Sequence, residues 1–199
     1  MVNLTTLSHY TMKPATHKTT TALLVIDVQN DFMAGGALAV PDAEEILPVV
    51  NALIASADYE LVVATQDMHP GNHASFGLWP VHCVQATIGA ELNPKLLRDQ
   101  IQVIWRKGTD QAVDSYGAFF DNTGKTTHLA DLLKAKGITA VDVVGLATDY
   151  CVGTTALQAA PLFKTRVLLP GCKGVGIKPD DIPNMIIQMR AGGVEVIEG

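Results

Sequence analysis

The densest chemistry in the chain lies in seven residues, Gly145-Leu146-Ala147-Thr148-Asp149-Tyr150-Cys151, where an apolar strand runs out into a cysteine that opens a helix. A thiol at a helix start sits among unpaired backbone N–H groups at the positive end of the helix dipole, which favours thiolate over thiol. The same N–H groups can hold an oxyanion that develops beside the sulfur. A small apolar cysteine packed beneath a helix would read identically in isolation, so the partners decide. A nucleophilic thiol needs a base to take its proton and return it to the leaving group, and no histidine is placed for that task. Asp27 is the candidate: a carboxylate at the end of a buried strand is partly desolvated, which raises its pKa towards a useful range. The plainer role for it is to cap a turn. Lys107 ends the Val103-Ile104-Trp105 run and can hold thiolate and carboxylate together while stabilising a tetrahedral intermediate. Its plainer alternative is a solvated surface lysine.

A second constellation is Asp67-Met68-His69 followed by His73 and His82. The one-residue gap puts Asp67 and His69 on the same side of an extended segment. A carboxylate with imidazoles suits a borderline divalent ion such as zinc, iron or manganese, with positions left open for water or substrate. His82 is the third ligand in this reading, and His73 is either a fourth or a partner behind the ligands. Aromatic residues make up only 6% of the chain, yet Phe32, Trp79, Tyr116, Phe119 and Phe120 lie in the segments flanking these groups. They could wall a slot for a flat ring, although core packing is the better account of Phe119 and Phe120. Thiol, carboxylate, ammonium, oxyanion hole and aromatic slot together describe acyl transfer from an aromatic amide or ester.

The elements that must position these groups alternate in type. Apolar runs at 22–26, 61–64, 101–105, 140–144, 166–169 and 194–197 read as strands, several buried on both faces. Helices are predicted from Pro41-Asp42 to about Ala57, with Asp42 and Glu45 spaced as an acidic capping box. Others run over 127–136 with Gly137 as the stop, from Cys151 to a stop or kink at Pro161, and over 179–191. The economical solution is an α/β fold: an open, largely parallel six-stranded sheet with helices on both faces, a Rossmann-like three-layer sandwich. Ligands of such sheets bind outside the carboxyl ends of the strands. Asp27, Asp67, Lys107 and Cys151 each fall at or just past the end of a different strand, so the architecture gathers all four at one edge.

Bulk properties narrow the classes. A chain of 199 residues with 48% hydrophobic content and positive mean hydropathy suits one well-buried domain, and no apolar run reaches a membrane span. A net charge of −6 without any Lys/Arg cluster argues against nucleic-acid binding. Three cysteines, Cys83, Cys151 and Cys172, show no framework spacing and read as reduced thiols of a cytoplasmic protein. Residues 1–21 are rich in Thr and Ser and lack an apolar core for a secretory signal, so they read as an extension outside a single 22–199 domain.

Taken with their neighbours, these residues resemble the nicotinamidase branch of the isochorismatase-like cysteine hydrolases, from Ala22 to about Ile197. The matching segments are Leu24-Val25-Ile26-Asp27-Val28-Gln29-Asn30-Asp31-Phe32, Asp67-Met68-His69-Pro70-Gly71-Asn72-His73-Ala74-Ser75-Phe76 and Trp79-Pro80-Val81-His82-Cys83-Val84. They continue in Arg106-Lys107-Gly108-Thr109-Asp110, Asp114-Ser115-Tyr116-Gly117-Ala118-Phe119-Phe120-Asp121 and Gly145-Leu146-Ala147-Thr148-Asp149-Tyr150-Cys151-Val152. The resemblance implies that Asp27, Lys107 and Cys151 form a triad that deamidates nicotinamide to nicotinate and ammonia through a thioester, a step of NAD salvage. It implies an oxyanion hole from the backbone N–H groups of Ala147 and Cys151, with a cis peptide before Ala147. It also implies one divalent metal, zinc before iron or manganese, held by Asp67, His69 and His82 to orient the ring, and a pocket of Phe32, Trp79 and Tyr116. Partners would be the small-molecule substrate alone, with no nucleic acid or membrane and homo-oligomerisation left open. The segment 76–79 is shorter than in many relatives, and Pro161 falls where relatives continue the helix. The competing readings are an amidase acting on a carbamoyl or ureido substrate, which lacks the full Asp/His set, and a non-catalytic ligand-binding member.

Overall fold

Ala22-Leu23-Leu24-Val25-Ile26 has no polar side to turn towards water, so it must be covered on both faces. The computed structural model, which describes residues 19–199, places it in strand β1 (Thr21–Ile26) with all five residues fully buried. Five more strands extend the sheet: β2 (Leu61–Asp67), β3 (Val103–Lys107), β4 (Ala140–Leu146), β5 (Lys164–Lys173) and β6 (Glu195–Ile197). All pair in parallel, in the order β3-β2-β1-β4-β5-β6. Of the extension expected over 1–21, residues 1–18 lie outside the described residues. Thr21 already belongs to β1, and the carbonyl of Thr20 accepts the N–H of Thr139 at 2.9 Å.

Four helices connect the strands: α1 (Leu47–Ile54), α2 (Leu129–Ala135), α3 (Gly153–Ala159) and α4 (Asp181–Ala191). From β1 to β2 the chain travels one way across the sheet, and from β3 onward it travels the other way. Right-handed crossovers then put α1 on one face and α2, α3 and α4 on the other. The apolar faces of both layers close on the sheet, with Ile46, Val50 and Ile54 on one side and Leu129, Leu133, Val152 and Ala156 among those on the other. None of the described helices is long and apolar enough to cross a membrane.

The expected fold class is the observed one; several local expectations are not. The first connection begins as a 3₁₀ turn (Ala43–Ile46), and Asp42 takes a left-handed backbone (φ 54°) with no capping bond. Glu45 reaches Lys173 of β5 instead, 2.5 Å away, so the capping box does not form. Strand β3 starts at Val103 and runs on to Lys107, two residues past the end expected at Trp105. Strand β5 runs on to Lys173, through a register shift opposite Val143 and Gly145. Helix α3 stops at Ala159, just before Pro161, as a ring without an N–H requires. Gly137, with φ 72°, ends the α2 region in the left-handed conformation expected of a C-terminal stop.

The last turn of β4 imposes the tightest local constraint. Gly145 has φ 119°, and a Cβ there would lie 2.1 Å from the carbonyl oxygen of Ile26. The close approach of β4 to β1 brings the segment leading to Cys151 alongside Asp27. Gly145→Ala combines a disallowed backbone angle with a backbone clash and should cost about 3 kcal/mol or more. Urea unfolding measures this, and a loss within 1 kcal/mol, about the ordinary spread of point substitutions, would show that the strands can separate without cost.

Candidate active site

Two side-chain systems share the carboxyl edge of the sheet, and Asp67 belongs to both. The first centres on the Lys107 ammonium, whose side chain is fully buried. Its Nζ lies 2.8 Å from Asp27 Oδ2, donates to Asp67 Oδ1 at 2.7 Å and to the Ser115 carbonyl at 2.8 Å, and sits 3.5 Å from Cys151 Sγ. The Asp27 contact is an ion pair whose angle leaves Oδ2 without a well-directed hydrogen bond. A carboxylate oxygen of Asp27 and Cys151 Sγ lie within 4.8 Å of each other. Thus a buried carboxylate oxygen of Asp27 stands near the thiol.

Local structure explains why these groups meet. Asp27 follows β1 with φ 48°, and Thr65 of β2 holds it on both sides: the Asp27 N–H donates to Thr65 Oγ1 (3.0 Å), whose hydroxyl donates to Asp27 Oδ1 (2.6 Å). Gln29 does the same for Asp67. Its carboxamide donates to the Asp67 carbonyl and accepts the Asp67 N–H, both at 2.8 Å, so β1 grips the end of β2. Cys151 does not open a regular helix. It lies in a π-helical turn, Thr148–Val152, which is entered through a cis Leu146–Ala147 peptide and continues into α3.

Burial decides the electrostatics of the triad. It raises the Asp27 carboxyl above its usual range, against the Lys107 charge, as expected for a strand-end carboxylate. It also pushes the Cys151 thiol well above its ordinary range, although Lys107 pulls the other way. The expectation that a helix start alone would favour thiolate is therefore not met: burial favours the thiol. For Lys107, burial opposes the charge, and the Asp27 and Asp67 carboxylates outweigh it, so the ammonium persists well above its ordinary pKa.

In the second system, Asp67, His69 and His82 offer one ligand atom each, all within 4.8 Å of one another. His69 Nδ1 faces the Gly108 carbonyl at 2.9 Å, and His82 Nδ1 faces that of Pro80 at 2.7 Å. A carbonyl cannot donate, so each Nδ1 carries the proton and each Nε2 keeps its lone pair. His69 Nε2 is buried without a hydrogen-bond partner, 3.9 Å from Asp67 Oδ2. Burial lowers the His69 pKa to about 4, so this imidazole is neutral near pH 7. An orphaned lone pair, a second imidazole and a free carboxylate oxygen are the donor set of a divalent-cation site. Gly108 completes the cradle, since a Cβ there would lie 2.5 Å from His69 Cε1.

His73 stands behind this set. Its Nε2 meets the Val113 carbonyl at 3.2 Å, its Nδ1 accepts from Ser75 Oγ at 2.7 Å, and its ring stacks on His69 with centroids 4.0 Å apart. Both nitrogens are engaged, yet His69, His73 and Asp114 also bring ligand atoms within 4.8 Å of one another, so His73 is either a partner behind the ligands or a further one.

The cleft above both systems is lined by all three expected residues, Phe32, Trp79 and Tyr116. Trp79 Nε1 donates to the Tyr116 hydroxyl at 3.0 Å, and the Tyr150 ring stands edge-on to Trp79 at 5.1 Å. Phe119 is core, packed against Phe163, as expected. Leu38, Val40, Asp114, Tyr150 and Val175 also line the cleft and were not singled out from the sequence. Asp149 and Gln29 were missed as well, although both lie inside the quoted motifs. The buried Asp149 accepts the N–H groups of Val175 and Gly176, each at 2.8 Å, tying the far wall to the turn that carries Cys151.

Comparisons with known proteins agree with this geometry. The isochorismatase domain family matches residues 21–197. The nicotinamidase of Escherichia coli (strain K12) is 43% identical over 195 residues, covering 86% of this chain and 92% of that protein. Among solved structures, PnC1 from L. infantum in complex with nicotinate superposes with a TM-score of 0.87 at 37% identity, covering 90% of this chain and 93% of that one. The pyrazinamidase of Pyrococcus horikoshii in complex with zinc gives 0.80 at 39% identity, covering 90% and 99%.

All three thiols are free and buried, but only Cys151 lines the cleft. Iodoacetamide should therefore modify Cys151 in the folded protein while Cys83 and Cys172 stay unmodified, as read by peptide mass. Equal labelling of the three would mean that the cleft does not single out this thiol.

Proposed function

This chain belongs to the isochorismatase family, and within it we propose a nicotinamidase that hydrolyses nicotinamide to nicotinate and ammonia with Asp27, Lys107 and Cys151 as its catalytic residues. The observation that carries this reading is the buried Lys107 ammonium, placed between a carboxylate and a thiol at the foot of an aromatic cleft. Nicotinamidase relatives over most of the chain supply the substrate.

The amide carbon is attacked by Cys151 Sγ while the thiol proton passes to Asp27, whose raised pKa makes it a competent acceptor. The high resting pKa of the thiol means that proton transfer accompanies attack. Lys107 Nζ, 3.5 Å from the sulfur, stabilises the negative charge that develops there. The backbone N–H groups of Ala147 and Cys151 are the donors for the oxyanion. Collapse of the tetrahedral adduct breaks the C–N bond, and Asp27 returns its proton to the leaving nitrogen, releasing ammonia and leaving a thioester. Asp27 then takes a proton from water as the water oxygen attacks, the C–S bond breaks as Asp27 passes that proton to sulfur, and the free thiol forms with nicotinic acid, which ionises to nicotinate on release.

Asp67, His69 and His82 would hold one divalent ion, most simply zinc, whose Lewis acidity when bound would attract a pyridine nitrogen and so orient the ring. The donor set and the zinc complex of the Pyrococcus relative support this assignment. Phe32, Trp79 and Tyr116 would then flank the ring, with Cys151 at its carboxamide. A reaction that recovers nicotinate fits NAD salvage in the cytoplasm, and three unpaired thiols suit that reducing compartment.

Two measurements test the assignment. Wild type should release ammonia from nicotinamide, and Cys151→Ala should lose at least about a thousandfold, the scale seen when a nucleophile is removed. Wild-type turnover no better than the mutant's would end the proposal. His69→Ala should mainly raise KM, because the imidazole acts in placing the ring and takes no proton from it. An unchanged KM would remove ring orientation from the mechanism.

A further inference from the structure

The Ser115 carbonyl is the one backbone group on Lys107 Nζ, at 2.8 Å, yet Ser115 belongs to a segment, 114–119, without regular secondary structure. Something else must hold it. Part of the support is the neighbouring hairpin, where Thr127 Oγ1 donates to the Ala118 carbonyl (2.6 Å) and Asn122 Oδ1 accepts the Tyr116 N–H (3.2 Å). Within the segment the Ser115 N–H donates to Asp114 Oδ1 (2.8 Å) and its hydroxyl to the Gly117 carbonyl (3.0 Å), while the Asn122 N–H donates to the Asp114 carbonyl (3.0 Å); further support comes from α3. The Gln158 carboxamide oxygen accepts the N–H groups of both Phe119 and Phe120 at 3.1 Å, and its Nε2 donates to the Phe120 carbonyl at 3.0 Å. Thr155 Oγ1 accepts the Ala118 N–H at 3.1 Å. Residues 155 and 158 are three apart and share a helix face. At Gly117 a Cβ would lie 2.0 Å from Gln158 Oε1, so segment and helix are in direct contact at that point.

We propose that Gln158, assisted by Thr155, is a positioning residue for the reaction: it locks the 115–120 segment to the helix that follows Cys151 and thereby holds the Lys107 ammonium beside the thiol through the Ser115 carbonyl. Neither side chain reaches the cleft. The clamp acts between two parts of the site that come from distant stretches of chain, and α3 is the only described helix that starts from the turn carrying Cys151. A carbonyl that drifts by an ångström takes with it one of the three short contacts that hold Nζ. Displacements of that size cost about a hundredfold in well-aligned sites. This inference rests on the roles proposed above for Lys107 and Cys151.

The test uses the zinc-loaded full chain with Gln158→Leu and the near-isosteric Thr155→Val. In protein that is folded by circular dichroism, Gln158→Leu should lower kcat for nicotinamide by about tenfold to a hundredfold, with KM changed less than about threefold. The second-order rate of Cys151 alkylation at pH 7 should fall by about tenfold, since the displaced ammonium no longer supports the thiolate. Zinc affinity, read by chelator competition, should stay within about twofold of wild type, well inside the loss expected when a group supporting a ligand is removed. Thr155→Val should move kcat and alkylation in the same direction by less, and it carries the test if Gln158→Leu fails to fold. Wild-type kcat and alkylation in a folded variant would overturn the proposal, and so would a parallel loss of zinc affinity, which marks general loosening. Absence of turnover in wild type would defeat the nicotinamide reading instead, and the alkylation rates, which need no substrate, would still decide this one.

Discussion

A lysine ammonium without access to water dictates the rest of this site. Burying a single charge costs several kcal/mol even after relaxation, so Lys107 can exist there only with carboxylates against it. It has two, Asp27 and Asp67, at 2.8 and 2.7 Å. Two carboxylates and one ammonium leave a negative excess if all are ionised, and a buried excess must be relieved. The site offers two kinds of relief. Asp27, with its raised pKa, can take a proton, and Asp67 can share its second oxygen with a cation beside His69 and His82. One is the proton-transfer half of the proposed reaction and the other is the metal half. Both answer the same electrostatic demand, and Asp67 is the hinge between them.

The fold supplies the convergence that this demand needs. Strand order β3-β2-β1-β4-β5-β6 reverses direction at β1 and β4, and a crevice opens at the carboxyl ends of strands where such a reversal occurs. Asp27 leaves β1 and the turn bearing Cys151 leaves β4, so base and nucleophile flank that crevice. Asp67 and Lys107 end the neighbouring strands in register with each other, and the pairing of β2 with β3 runs to that last pair. The central strands β1, β2 and β4 are paired on both sides and make stiff supports, while β3, which carries Lys107, is an edge strand paired with β2 alone. The loops contribute walls, and the strand ends with the turns that leave them contribute the reacting atoms.

How much of this could be read from residues alone follows from how local each cause is. A five-residue aliphatic run has one way to satisfy itself, so β1 and the parallel sheet were legible, as was the collection of Asp27, Asp67, Lys107 and Cys151 at one edge. The capping box failed because Glu45 has a better partner in Lys173, 128 residues away, which spacing cannot reveal. The pKa of Cys151 was misjudged for a related reason. A helix start is a local feature, whereas complete burial is a product of the whole fold, and burial dominates. Gln29 and Asp149 lay inside quoted motifs, yet their tasks are hydrogen bonds to the backbone of other segments. The available signal was position: each is a polar residue three places past the end of an apolar strand run. The hydrogen bonds of both His73 ring nitrogens, to Ser75 and to the Val113 carbonyl, are likewise set by the fold and not by spacing.

The burial that keeps Cys151 in its thiol form has a consequence outside the reaction itself. Peroxide attacks thiolates and spares thiols, so sulfur oxidation tracks thiolate character and exposure. Burial that lowers the thiolate fraction of Cys151 therefore also lowers its rate of oxidation. Cys83, buried and lacking any opening to the cleft, has its thiol pushed up by burial as well. Burial thus slows the oxidation of the Cys151 sulfur without silencing it, since Lys107 beside it still favours the thiolate that alkylation reads.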